Sequence, residues 1–188
     1  MCYLLKIKLD LKRKLSYYRY KHSLRVAKVA KKLAGLYGVS KRDAYLAGLL
    51  HDIAKEFSVK EDEKWISKYN LNRELLENSK RKICHAEIGG IVARELYGVN
   101  DEIVEAIRYH TIGNVNMSLL AKIVFVADKI EDGKSYFGIE EEKKLAYKDI
   151  NLALIKCIEN NRSELFKEGK SLNVETCKLL KYLYSKSD

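Results

Sequence analysis

The fold is decided by residues 119–130, LLAKIVFVADKI, which form the most apolar stretch of the chain. The stretch is short for a membrane span, which takes roughly 20 apolar residues, but it has the length of a buried helix. Ser118 precedes it and belongs to the residue types that open helices. We therefore expect residues 119–130 to form a central helix in the core.

The composition favours helices throughout the chain. Proline is absent and there are only 10 glycines among 188 residues, so few positions forbid a helix. The hydrophobic share of 47% is typical of a globular protein, and a charged share of 33% can coat a helical surface. This length suits one ordinary domain with a single core. We expect an all-α protein in which residues 1–188 form a single domain.

Apolar periodicity and capping residues predict further helices on both sides of the central one. Ser40, followed by Asp43, resembles a capping box with Asp in the place of Glu. Two shorter, more polar helices are expected within residues 61–79, where they could cover a site. The other expected helices span residues 18–37, 40–55, 85–97, 100–110, 140–161 and 173–185.

The N-terminal stretch is basic and amphipathic. Its apolar residues recur at spacings of three and four, which predicts a helix covering the core. These residues are Leu4, Ile7, Leu11 and Leu15. A helix lying on a membrane surface is the alternative. Charged residues interrupt every apolar run within residues 1–20, so we expect no secretory signal.

Charge and cysteine content bound the partners and the compartment. The 36 Lys and Arg residues against 26 Asp and Glu residues give a net charge of +10, which attracts nucleotides, nucleic acid or anionic membranes without choosing among them. The cysteines are far apart and form no CxxC pair, which argues against a zinc knuckle or a redox motif. We expect packing cysteines in a reducing cytoplasm, and no membrane partner. They are Cys2, Cys84, Cys157 and Cys177.

The chain has only four histidines, and each is expected on the apolar face of its helix. A single histidine at such a position is more often a packing residue than a metal ligand. Four buried imidazoles are harder to explain by packing, because each needs a hydrogen-bond or metal partner. The four are His22, His51, His85 and His110.

Two aspartates extend this set to six candidate ligands. Asp52 follows His51 near small residues that leave room for an ion, and Asp128 lies within the apolar stretch, where an unpaired carboxylate would be costly. A salt bridge is the alternative for Asp128, but it leaves the histidines unexplained. Six mixed ligands suit two ions that share a carboxylate, and manganese, iron or zinc would fit. Such a pair is suited to phosphate ester and anhydride hydrolysis.

The order of these residues resembles the HD-domain superfamily of metal-dependent phosphohydrolases, and the local sequences are similar to its YqeK-type branch. The similarity covers about residues 18–145 and weakens towards the end. It implies an HD-type helical bundle with its core at about 18–145. It also implies a symmetrical dinucleoside tetraphosphatase that cleaves diadenosine tetraphosphate into two ADP through a metal-bridging hydroxide. The matching motifs are RYKHSLRVA (19–27), LAGLLHDIAKEF (46–57), HAEIGG (85–90), AIRYHTIGN (106–114) and MSLLAKIVFVADKIEDG (117–133).

The resemblance also implies a division of the ligands. One ion would be held by His22, His51, Asp52 and Asp128, and the other by Asp52, His85 and His110. Asp52 would then be the bridge and a catalytic residue. The implied cofactor is a pair of divalent or mixed-valence transition-metal ions, with iron preferred and manganese or zinc as alternatives.

Four further residues are expected near the substrate. Lys55, one turn beyond His51, is placed to meet a phosphate oxygen and is a candidate catalytic residue. Arg108 and Thr111 flank His110 and could contact phosphate or ribose. Lys134 stands near the position where the branch has an arginine, so it offers a point charge rather than a bidentate fork.

The loop around Lys134, IEDGKSYFGI (130–139), also lacks the proline that the branch has after its glutamate. Tyr136 and Phe137 in this loop could stack on a base, but packing under the loop is the preferred interpretation.

Other functions remain open. A hydrolase of another nucleotide, such as a mononucleotide phosphatase, is the nearest alternative. Cyclic-dinucleotide phosphodiesterases carry paired histidines and a GYP signature, neither of which is present, and alarmone hydrolases place acidic residues where Ile53, Ala54 and Lys55 stand. A helical nucleic-acid-binding module without chemistry would have no need of a buried Asp128. We expect a dinucleoside polyphosphate as partner rather than nucleic acid, and leave a homodimer open.

Overall fold

The computed structural model describes residues 3–77 and 81–186, and within them the chain forms ten α-helices, one short 3-10 helix and no β-strand. The expected all-α class is confirmed. The helices are α1 (Tyr3–Lys14), α2 (Tyr17–Leu36), α3 (Lys41–Leu50), α4 (Val59–Lys68), the 3-10 helix (Arg73–Leu76), α5 (Arg81–Tyr97), α6 (Asp101–Tyr109), α7 (Leu119–Ile130), α8 (Ile139–Ala146), α9 (Ile150–Lys167) and α10 (Val174–Tyr184).

Helix α7 is the centre of the bundle, as its apolar sequence predicts. The Ser118 side chain accepts a hydrogen bond from the Ala121 backbone and caps the helix. Nearly every residue of α7 is buried, and the helix packs against α2, α3, α6, α8 and α9. Burial of this apolar surface is the main stabilising contribution to the fold.

Small residues let α2 and α3 approach closely. A Cβ at Gly48 would lie 2.9 Å from the Cα of Ala27 on α2, so a larger residue would push the helices apart. A similar approach joins α5 and α6, because a Cβ at Gly90 would lie 3.2 Å from the Val104 carbonyl oxygen. These two helix pairs carry the four histidines at or near their ends.

The third helix ends earlier than expected. Helix α3 stops at Leu50 instead of continuing to residue 55, and residues 51–56 form turns. The backbone hydrogen bonds there join residues three apart instead of four. The Ile53 amide donates to the Leu50 carbonyl, and the Lys55 amide donates to the Asp52 carbonyl. Neighbouring residues of a regular α-helix point about 100° apart, and this turn carries the adjacent His51 and Asp52 into one interior pocket.

Other boundaries also differ from expectation. The single helix expected at 140–161 is two helices, because Asp149 caps a new one by accepting hydrogen bonds from two backbone amides. Helix α5 begins at Arg81 rather than at 85. The Ser40 hydroxyl caps α3, but the Asp43 carboxylate accepts a hydrogen bond from Asn100 of another helix, so the expected box is only half formed there.

A complete capping box occurs instead at Ser58 and Glu61, at the start of α4. Helix α4 and the 3-10 helix are the two short helices expected within 61–79, of which residues 78 and 79 lie outside the described residues.

Helix α1 buries Ile7 and Leu11 and covers the core, as expected. A continuous cluster of buried apolar side chains extends from α1 to α10. No helix of the described residues is both long and apolar enough to cross a membrane. Cys84 and Cys157 are buried and Cys177 is half-buried, while Cys2 lies outside the described residues.

Candidate metal centre

The four histidines converge on one buried pocket from four helices. His22 lies on α2, His51 directly follows α3, His85 lies on α5, and His110 directly follows α6. The Nε2 atoms form two close pairs, with 3.2 Å between those of His22 and His51 and 3.3 Å between those of His85 and His110. The structure therefore brings together all four residues that the sequence selected.

Asp52 lies between the two histidine pairs, and each of its carboxylate oxygens faces a different pair. Oδ1 is 3.2 Å from the Nε2 atom of His85 and 3.5 Å from that of His110. Oδ2 is 3.4 Å from the Nε2 atom of His51 and 3.8 Å from that of His22. This is the arrangement of a carboxylate that can bridge two ions.

Asp128 joins the first pair only. Its Oδ1 atom is 3.1 Å from the Nε2 atom of His22 and 3.8 Å from that of His51. Its Oδ2 atom accepts a hydrogen bond of 2.7 Å from Lys129. The salt bridge that was the alternative for Asp128 is thus present, and it coexists with the histidine contacts.

Outer contacts fix the orientation of three of the imidazoles. The Nδ1 atom of His51 is 2.8 Å from the Gly48 carbonyl oxygen, and that of His110 is 2.6 Å from the Ile107 carbonyl oxygen. The Nδ1 atom of His22 is 3.1 Å from Oε1 of Glu131. Because these partners only accept, each Nδ1 donates a proton, and in the neutral imidazole each Nε2 then presents a lone pair towards the pocket.

Facing lone pairs repel unless a cation lies between them. Two nitrogens that each lie about 2.1 Å from one ion are separated by roughly 3 to 3.4 Å, which matches both observed pairs. Among the residues that the structure describes, two groups of ligand atoms lie close enough, within 4.8 Å of one another, to hold an ion. They are His22, His51 and Asp52, and Asp52, His85 and His110.

The electrostatics of the pocket favour bound cations. Burial lowers the pKa of His110 to about 4 and also lowers the pKa of His85, so both are neutral ligands near pH 7. Burial acts to raise the pKa of Asp52, but the charge of His51 and the hydrogen bonds from the histidines hold that pKa well below its usual value. The pKa of His51 is raised, because Asp52 and Asp128 together outweigh the effect of its burial. Asp52 and Asp128 therefore both attract positive charge into the pocket.

The sequence interpretation missed several side chains at the pocket, and two of them contact candidate ligands from distant parts of the chain. The Nη1 atom of Arg19 donates to Oδ2 of Asp52 at 2.6 Å. Arg19 lies three residues before His22, a spacing that places both on one face of a helix, so a signal was present. The other is Glu131, whose burial follows from tertiary packing and has no local signature.

The predicted substrate residues fall into two groups. Lys55 and Lys134 line the pocket: the Nζ atom of Lys55 is 3.1 Å from Nε2 of His85, and that of Lys134 is 3.4 Å from Oδ1 of Asp128. Burial lowers the pKa of Lys55. The Thr111 hydroxyl is buried without a hydrogen-bond partner among the residues that the structure describes. Arg108 is instead paired with Glu87 at 2.8 Å.

The two aromatic residues of the 131–138 loop differ from each other. The Tyr136 hydroxyl donates to the buried carboxylate of Glu142, so the expected packing role is supported there. Phe137 is 98% exposed, so the expectation that it packs under the loop is wrong. Tyr136 is itself 36% exposed, so its hydroxyl, rather than the whole ring, is held in the interior.

The chain is similar to known hydrolases along nearly its whole length. The model of the HD domain family matches residues 19–133. A Bacillus subtilis (strain 168) protein named bis(5'-nucleosyl)-tetraphosphatase, symmetrical, is 35% identical over 94% of this chain and 95% of its own length. A protein of the same name from Staphylococcus aureus (strain NCTC 8325 / PS 47) is 35% identical over 94% of this chain and 92% of its own.

A solved structure shows the same fold. It is described as a predicted HD superfamily hydrolase involved in NAD metabolism, from Clostridium acetobutylicum, and is 35% identical in sequence. The two structures superpose with a TM-score of 0.90, and the match covers 99% of each chain.

Proposed function

Since this chain belongs to the HD domain family, whose hydrolases depend on metal ions, we propose that it is a symmetrical dinucleoside tetraphosphatase that cleaves diadenosine tetraphosphate into two molecules of ADP. The observation that carries the proposal is the position of Asp52, with one oxygen towards each pair of buried histidines. A carboxylate so placed, among four buried imidazoles, suits a pair of cations and has no evident use in packing.

We assign His22, His51, Asp52 and Asp128 to one ion and Asp52, His85 and His110 to the other. When bound, the pair would supply hydroxide near neutral pH and neutralise charge on the attacked phosphoryl group. Iron is the metal that we propose, and the same nitrogen and oxygen donors would also accept manganese or zinc.

Lys55 and Lys134 support symmetric cleavage, whereas Lys129 is held by its neighbour Asp128. Lys55 lies beside His85, on one half of the centre, and Lys134 lies beside Asp128, on the other half. A dinucleoside tetraphosphate cut in its middle has two phosphates on each side of the broken bond. One lysine on each half can therefore bind the phosphates on its own side and hold the scissile bond over Asp52.

The two other predicted substrate contacts, Thr111 and Arg108, differ in whether their side chains already have a partner. The unpartnered Thr111 hydroxyl can donate a hydrogen bond to phosphate or ribose, since it follows the ligand His110 directly. Arg108 would first have to leave Glu87 before it could bind phosphate. We propose that the enzyme works in the cytoplasm on a free nucleotide, without a membrane or nucleic acid as partner.

Product chromatography tests the proposal. Purified protein loaded with manganese should convert diadenosine tetraphosphate to ADP alone. Formation of ATP and AMP would contradict symmetric cleavage. If diadenosine tetraphosphate is not hydrolysed while a nucleoside monophosphate is, the mononucleotide phosphatase is the correct function. Elemental analysis of the same preparation should give close to two transition-metal ions per chain.

A further inference from the structure

Glu131 is a buried carboxylate that connects three separate segments. It directly follows α7 and is 1% exposed. Its Oε1 atom is 3.1 Å from Nδ1 of His22 on α2, and its Oε2 atom accepts a hydrogen bond of 2.6 Å from the Gly133 backbone amide. The Arg25 guanidinium contacts both oxygens and balances their charge.

The contact of Glu131 with His22 acts on a predicted metal ligand. His22 can offer the lone pair of Nε2 only if its proton resides on Nδ1, and the acceptor at Nδ1 decides this. His51 and His110 use backbone carbonyls for the same purpose, which no side-chain substitution can remove. His22 depends on the Glu131 side chain.

The contact of Glu131 with the Gly133 amide acts on the loop that carries Lys134. The Oε2 atom of Glu131 holds the Gly133 amide, and the Lys134 amide donates to the Glu131 carbonyl at 3.0 Å. The Arg25 guanidinium packs so closely on Gly133 that a Cβ there would overlap it. These contacts fix the start of the loop from which the Lys134 amine reaches Asp128.

We propose that Glu131 is a positioning residue that sets the orientation of His22 and the placement of Lys134 together. The inference rests on the proposed function and deepens it, because it joins ion binding at one half of the centre to phosphate binding at the same half. The half formed by His85 and His110 has no contact with Glu131 among the described residues.

Titration with zinc alone tests the effect of Glu131 on His22 without any substrate. We expect Glu131→Ala to weaken one of the two ion sites by about 10- to 100-fold and to leave the other unchanged. Glu131→Gln is the near-isosteric second variant if the alanine variant does not fold. Its single amide oxygen cannot serve His22, Gly133 and Arg25 at once, so either one ion site or the substrate affinity must weaken.

A double-mutant cycle tests the effect of Glu131 on the placement of Lys134. Glu131→Ala should raise KM for diadenosine tetraphosphate, and it should raise KM little further in a Lys134→Ala background, because the two residues act through one contact. Glu95→Gln, which alters an exposed ion pair with Lys68, is the matched control and should leave ion affinity and KM unchanged.

The inference is overturned if both ion sites keep wild-type affinity in both Glu131 variants, or if both sites weaken equally. Fully additive effects of the Glu131 and Lys134 substitutions on KM would also overturn it. Absence of hydrolysis by the wild-type protein would count against the proposed function only, because the zinc titration does not depend on the substrate.

Discussion

Two buried polar clusters lie close together in this molecule, and they are built in opposite ways. The candidate metal centre contains the four histidines with Asp52 and Asp128. The carboxylate cluster contains Glu142, fully buried on α8, with Tyr136, Cys157 and Asn160 around it. Asn160 donates to Glu142 at 2.7 Å, and the hydroxyl of Tyr136 and the thiol of Cys157 are further donors.

The difference between them is whether donors meet acceptors. In the carboxylate cluster every contact to Glu142 comes from a donor, and burial together with Glu142 raises the pKa of Cys157 and Tyr136, so both keep their protons. In the candidate metal centre the paired Nε2 atoms of the histidines face one another, although Arg19 and Lys129 donate to its carboxylates. Burial of polar groups alone therefore does not identify a binding site. Facing imidazole nitrogens do, because they are matched only when a proton or a cation lies between them.

The largest effect that the comparison predicts is that of removing Asp52. Asp52→Ala takes one ligand from each ion, so we expect loss of both ions. Turnover of diadenosine tetraphosphate should fall on the order of 10³-fold or more, because bound ions contribute several kcal/mol and each 1.4 kcal/mol is about tenfold. Elemental analysis and kcat measure the two effects. Asp101→Ala, at an exposed aspartate paired with Arg94, is the control and should match the wild type. An Asp52→Ala protein that still held both ions and remained active would show that Asp52 does not bridge the two ions.

Chelation should affect only the metal centre. At a free-ion concentration of about 100 times Kd, a bound ion stabilises the folded state by about 2.7 kcal/mol. We therefore expect EDTA to lower the midpoint of thermal unfolding of the manganese-loaded protein and to abolish hydrolysis. The same treatment should leave the midpoint of Asp52→Ala unchanged. Equal midpoints with and without manganese in the wild-type protein would contradict a cation-dependent cluster.

The two clusters also differ in how far sequence predicted them. The centre was visible because buried imidazoles are rare and lie on apolar helix faces, and because Asp52 and Asp128 interrupt apolar runs. Glu142 was not visible, since Glu140 and Glu141 beside it are solvated and all three look alike in sequence. The packing of α8 on α9 and α7 turns Glu142 inwards.

The errors at helix ends have a different cause. Residues 119–130 are apolar enough to define their helix, but the helix start at Asp149 is also local, because its carboxylate accepts from the Asn151 and Leu152 amides, and this signal was missed. Glu131, in contrast, gains its role from Arg25 and His22, which are distant in sequence. Local patterns therefore predicted which histidines and aspartates gather in the pocket, and tertiary contacts decided the residues that orient them.

A smaller effect is expected from removing the acceptor of the carboxylate cluster. Glu142→Ala leaves the Asn160 amide and the Cys157 thiol without their acceptor, while Tyr136 retains the Lys129 carbonyl at 3.2 Å. We expect a loss of about 1 to 3 kcal/mol in the free energy of unfolding, measured by urea denaturation. The number of bound ions should stay at the wild-type value. Loss of ions from this variant would mean that the clusters are not independent.

The smallest effect should come from Cys157→Ala, which removes the weakest donor of the same cluster. A thiol is a poor hydrogen-bond donor, and Tyr136 and Asn160 still serve Glu142, so the carboxylate keeps its stronger partners. We expect a decrease of about 1 kcal/mol or less in the free energy of unfolding, because only one sulfur atom is lost from the core. If Cys157→Ala were instead as destabilising as Glu142→Ala, the thiol would be an essential donor. The carboxylate cluster would then depend on a single contact rather than on a set of matched ones.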